Sequence, residues 1–76
     1  MLGTQRTLHD AIKKVLLDQP QHMAPADLLS DEIARRQLYF RKDGRYSPNW
    51  QVVLRARNHP EMFDLVDDAT VRLRAL

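Results

Sequence analysis

The chain contains no cysteine and only two glycines, Gly3 and Gly44, among its 76 residues. Without thiols there are no disulfide staples and no thiolate zinc site. Two isolated glycines cannot build the glycine-rich loop that cradles phosphates. No segment approaches the ~20 apolar residues that span a bilayer. The opening Met1-Leu2-Gly3-Thr4-Gln5-Arg6 also lacks the apolar run of a signal peptide. By elimination the expected compartment is cytoplasmic (nucleoid-associated) or nuclear, with no membrane partner. The chain is read as a single domain, 1–76 with its core at about 7–74, and it could equally be one domain of a longer protein.

Catalytic groups are missing too. No Ser-His-Asp set is recognisable. His9, His22 and His59 are far apart in sequence and have neither cysteine nor a paired carboxylate beside them, so no zinc site is expected. Asp67 and Asp68 are neighbours on a turn, where side chains diverge, and no third ligand is evident. The expectation is a chain that is not an enzyme by itself, with no catalytic residue, no metal and no cofactor.

What is present is enough apolar content, 43%, for one core, which argues against disorder. At this length the domain is near the lower limit for folding alone, so that core must be well packed. The net charge is only +2, but it is unevenly distributed. Residues 1–37 balance five bases against five acids. Residues 41–59 hold Arg41, Lys42, Arg45, Arg55 and Arg57 against Asp43 alone, a net of +4. Residues 60–71 carry Glu61, Asp64, Asp67 and Asp68 with no base, and Arg72 and Arg74 follow. A basic segment of this kind is where a polyanion would be met.

Periodicity orders the chain. Leu8, Ala11, Ile12, Val15 and Leu16 form one helical stripe, with Thr7 as N-cap, Asp10 three positions on, and Pro20 closing the helix. His22-Met23-Ala24 suits a very short extended segment. Pro25 opens a second helix at its first turn, with Asp27 near the positive end of its dipole. Leu28, Leu29, Ile33 and Ala34 are its buried face, and it ends around Gln37. Leu38-Tyr39-Phe40 leads into an Asp43-Gly44 turn. Two readings stay open there, a loop or a small hairpin from Tyr39 to Tyr46, and the loop is preferred because the flanks are too short to bury much.

Ser47 then predicts an N-cap and Pro48 the first position of a third helix. On that helix Trp50, Val53 and Leu54 are expected to anchor inward, leaving Gln51, Val52 and Arg55 on display. Arg57 falls on the anchoring side, where its stem would pack and its head would pair with a carboxylate. Tyr39, Phe40 and Tyr46 are read as packing residues. After Pro60, Phe63–Val66 and Thr70–Arg74 alternate as two strands joined by Asp67-Asp68-Ala69, with Phe63, Leu65, Val71 and Leu73 facing inward. The fold class is therefore α+β, mainly α: three helices plus a small antiparallel β-hairpin wing.

That order is the winged helix-turn-helix arrangement, and particular residues narrow it. Ala11-Ile12, Leu16, Met23 to Leu29 and Ile33 to Tyr39 resemble the opening half of HARE-HTH domains. Val52 to Phe63 looks like their third helix running into the phenylalanine that begins the wing. The resemblance implies a small DNA-binding or DNA-sensing accessory, of the kind found in transcription, chromatin and restriction-type systems. Its third helix would meet duplex DNA. The acidic turn Asp67-Asp68 departs from wings whose tip is basic.

A candidate DNA surface follows. Gln51 and Arg55 would read base edges in the major groove, with Asn49 beside them, while Val52 would touch a thymine methyl or pack on a protein partner. Arg41, Lys42 and Arg45 would hold phosphates, and Arg72 and Arg74 would assist from the wing. The competing reading keeps the fold and makes it a protein–protein interaction adaptor, motivated by the modest net charge, the exposed Val52 and the acidic block Glu61 to Asp68. In either case the module could be attached to, or docked on, a larger protein such as a nuclease.

Overall fold

The computed structural model describes residues 7–40 and 47–74. The elements are α1 (Leu8–Leu17), a short 3-10 turn (Pro20–His22), β1 (Met23–Pro25), α2 (Ala26–Arg35), α3 (Asn49–Arg57), β2 (Phe63–Asp67) and β3 (Thr70–Leu73). Three helices and a three-stranded antiparallel sheet make an α+β, mainly α architecture compatible with a winged helix. Among the described residues no helix is long and apolar enough to cross a membrane.

Helix α1 forms where its stripe says it should. Thr7 Oγ1 accepts from the Asp10 backbone N–H at 3.3 Å, satisfying one of the donors that every helix start leaves open. Leu8, Ala11, Ile12, Val15 and Leu16 are all fully buried. The helix stops at Leu17, with Asp18 as C-cap, and Pro20 belongs to the turn that follows. Helix α2 buries Ala26, Leu29, Ser30 and Ile33. Pro25 is its N-cap, not its first residue, because Pro25 is still extended and pairs with Thr70 in the sheet. The α2 N-terminus is tied to the far hairpin by Ala26 N donating to Ala69 O at 2.7 Å.

Helix α2 ends at Arg35, two residues earlier than its pattern suggests, in a left-handed cap. Gln37 has φ 56°. Gln37 N donates to Ala34 O at 3.1 Å and Leu38 N donates to Ile33 O at 3.0 Å. This pair of bonds is the Schellman arrangement, with glutamine where glycine is usual. Leu38 then packs against the core, as the motif favours. Arg36 fastens the two helix ends together, reaching Asp18 at 2.7 Å and Glu32 at 2.9 Å.

The sheet runs in the order β1-β3-β2. Phe63 lies opposite Leu73 and Leu65 opposite Val71, so the inward face of the hairpin is the one read from alternation, and a bulge lies between Leu65 and Asp67. Phe63, Val71 and Leu73 close one side of a single core whose other walls are α1, α2 and two residues of α3, Val52 and Ala56. The competing loop and hairpin readings for Tyr39–Tyr46 turn on Arg41–Tyr46, which lie outside the described residues.

Candidate interaction surface

Helix α3 is rotated about its axis relative to the expectation. Val52 and Ala56, one turn apart, are 0% and 1% exposed. Trp50 and Leu54, expected as anchors, are 61% and 46% exposed. Val52 is therefore a core residue and cannot touch a thymine methyl or a partner. Gln51 and Arg55 are half-buried at the boundary instead of displayed, and Gln51 Oε1 is buried with no hydrogen-bond partner.

The physical reason lies in what α3 packs against. Leu8, Ile12, Leu16, Leu29 and Ile33 already occupy the interior at full burial. The distance between packed helix axes depends on the side chains at the contact. A Val–Ala pair lets α3 approach closely, whereas a tryptophan there would overpack the core.

The entry to α3 is consistent with this rotation. Ser47 does not cap the helix with its side chain; Pro48 is the N-cap residue and Asn49 the first helical residue. Ser47 is buried, its Oγ has no partner among the described residues, and its carbonyl oxygen accepts from Ser30 Oγ at 2.5 Å. Helix α2 thus grips the strand-like residue that feeds α3.

Along the outer side runs a stripe at i, i+3, i+4 and i+7: Trp50, Leu54 and Arg57 are exposed, while Val53, the third expected anchor, is half-buried and packs against the core. With Ala26 at the start of α2 and Asp68 and Ala69 of the hairpin turn, the stripe lines an open groove of ≈ 420 Å³. Asn49 stands at one end, with its side-chain amide donating to Asp27 Oδ1. The expectation that Arg57 pairs with a carboxylate is not met. Among the described residues neither Arg57, Arg55 nor Asp68 forms an ion pair or a side-chain hydrogen bond.

The wing arginines are engaged within the fold. Arg72 reaches Asp64 at 2.7 Å and Arg74 reaches it at 3.0 Å, while Arg74 Nε also donates to Pro60 O at 2.5 Å. The Arg72 hydrogen bond, supported by the charges of Arg74 and Arg72, holds the Asp64 carboxyl below its ordinary range against a smaller opposing effect of burial. Asp67 is likewise held low, first by the Ala69 backbone N–H and then by the Thr70 hydroxyl. Its Oδ1 accepts from Ala69 N at 2.9 Å, which fixes the turn. Arg41, Lys42 and Arg45, the expected phosphate contacts, lie outside the described residues. Tyr46 does also; Tyr39 packs on the core, and Phe40 sits at the surface.

The fold also joins two histidines that the sequence separates. The His9 and His59 rings lie with centroids 4.1 Å apart, and His59 Nδ1 is 3.2 Å from Glu61 Oε2. No group of three or more His, Cys, Asp or Glu side chains converges on a metal-sized site among the described residues.

The stripe itself is plain in the sequence from its helical spacing, but not the direction in which it faces. The competing signal was the Val52–Ala56 pair, too small to outrank tryptophan on hydrophobicity alone. No family model matches this chain, and no curated protein or solved structure is similar enough to it to be matched.

Proposed function

We propose that this chain is a non-catalytic interaction module of winged-helix type that docks a partner protein on the outer face of α3. The carrying observation is Trp50, the most exposed large apolar side chain among the described residues, set beside exposed Leu54 and half-buried Val53 on one helical face. Contiguous exposed apolar surface of this kind marks interaction sites. Tryptophan and arginine dominate interface hot spots, and Arg57 lies on the same stripe. The resemblance to HARE-HTH domains supports an accessory role beside a larger protein, in a cytoplasmic or nuclear setting.

Duplex DNA is the second reading. It is favoured by Arg55 and Arg57, both without ion pairs among the described residues, and by the net +4 of residues 41–59. Phosphate contact would then come from the C-terminal half of α3, not from Gln51 and Val52.

A photo-crosslinking amino acid at position 54, compared with one at the exposed position 14 on α1, separates the readings. Docking predicts a protein adduct from position 54 that vanishes in Trp50→Ala. Adducts to nucleic acid alone, or no excess over position 14, would end the protein-docking reading. NMR shifts with a short duplex at low salt, clustered on Arg55 and Arg57, would install the second.

A further inference from the structure

Resting on the protein-docking reading, we infer that the partner on the α3 face is a second copy of this chain, paired antiparallel about a twofold axis between Val53 and Leu54. The stripe is self-complementary. A twofold pairing requires that if residue i meets residue j, then j meets i. With the axis at the stripe's centre, Val53 faces the second copy's Leu54, and Trp50 faces the second copy's Arg57. The apolar residues therefore meet in the middle, and at each end a guanidinium lies over an indole, a favourable cation–π contact.

Charge points the same way. The groove carries one cation, Arg57, and one carboxylate, Asp68, and neither has an ion-pair partner among the described residues. Within the groove lining these two charges balance, and each face brings the other the opposite charge at its rim. A strongly acidic or strongly basic partner would match only one end. The rotation of α3 fits the same pairing. Val52 and Ala56 hold the helix to its own fold, which frees the bulkier Trp50 and Leu54 for the second copy.

A stable interface commonly buries roughly 800 Å² per partner. The nine-residue α3 and its flanks offer a small face on a surface of 5010 Å². The pairing is accordingly weak, and concentrations from about 10 µM to about 1 mM should bracket it.

Light scattering across that range should show the mass rising from 8.9 kDa toward twice that value. Trp50→Ala and Arg57→Glu, both at exposed positions, should each move the midpoint at least about tenfold upward. The absence of native cysteine permits a second readout. Leu54→Cys places two thiols beside the axis, so a short bis-maleimide should give a covalent dimer, whereas Lys14→Cys should not. A chain that stays monomeric at the highest concentration, or that associates without crosslinking through position 54, overturns the inference. The docking reading fails separately. If position 54 photo-crosslinks to a different protein while the chain remains monomeric, the second copy is excluded and the docking face stands. If it yields no protein adduct at all, both fall.

Discussion

Ser30 Oγ donates to the Ser47 carbonyl oxygen at 2.5 Å inside the protein, tying α2 to the residue two places before α3 begins. Ser47 precedes a proline and is therefore held extended. Anchoring its carbonyl to α2 adds to the Val52–Ala56 packing in holding the start of α3 in place. Ser30→Ala would leave a buried carbonyl unpaired, at a cost of about 1–3 kcal/mol. Urea unfolding should show a lower midpoint with an unchanged slope. An unchanged midpoint would mean that water or another donor takes over.

The inverted exposure of α3 predicts an unusual ranking of substitutions. Val52→Ala removes fully buried carbons and leaves a cavity, for a loss of about 2 kcal/mol. Trp50→Ala removes a much larger side chain that is 61% exposed, and should change the stability of the monomer by about 0.5 kcal/mol or less. Thermal unfolding at low concentration compares them directly. If the tryptophan variant is the less stable of the two, the helix faces the other way.

These two residues also show how far the sequence could be read. Helix α1 was legible because its apolar residues make a single stripe, so only one rotation buries them. The hairpin was legible because Phe63, Leu65, Val71 and Leu73 alternate, and a shift by one residue would expose all four. Helix α3 carries apolar side chains on two faces, Trp50, Val53 and Leu54 on one and Val52 and Ala56 on the other. Choosing between them needs the space left by α1 and α2, which is a tertiary quantity. The Ser30–Ser47 bond spans seventeen positions. The His9–His59 contact joins the first helix to the second residue beyond the third. Local pattern reports neither. With α3 turned this way, Val52 lies in the core, while Trp50 and Leu54 belong to the surface.

Gln37 should be a site of gain. Its φ of 56° places a side-chain-bearing residue in the left-handed region at the end of α2, where only glycine avoids the Cβ clash. Gln37→Gly keeps both cap hydrogen bonds and removes the clash, for a net gain of about 0.5–1 kcal/mol after the added freedom of the unfolded chain. In a domain of this size each kcal/mol raises the melting temperature by roughly 4–8 °C. Gln37→Ala should give no such rise. Equal melting temperatures for the glycine and alanine variants would show that the cap is unstrained.

Acid should loosen the wing first through Asp64. The Arg72 hydrogen bond and the charges of Arg74 and Arg72 depress its folded-state value below the ordinary one. A carboxylate shifted in this direction stabilises the fold above its unfolded value, and the contribution disappears as pH falls through the lower folded value. The loss therefore begins below about pH 4. Glu32, held low chiefly by the Arg35 hydrogen bond, should act in the same window between α2 residues. Exposure and screening keep each contribution modest. Amide exchange or chemical shifts along β2 and β3, followed from pH 6 downward, should change before those of α1. Asp64→Asn should flatten the response of β3 while leaving that of α2 intact. A β3 profile identical in the wild type and Asp64→Asn would show that the two arginines do not hold the strand pair through this carboxylate.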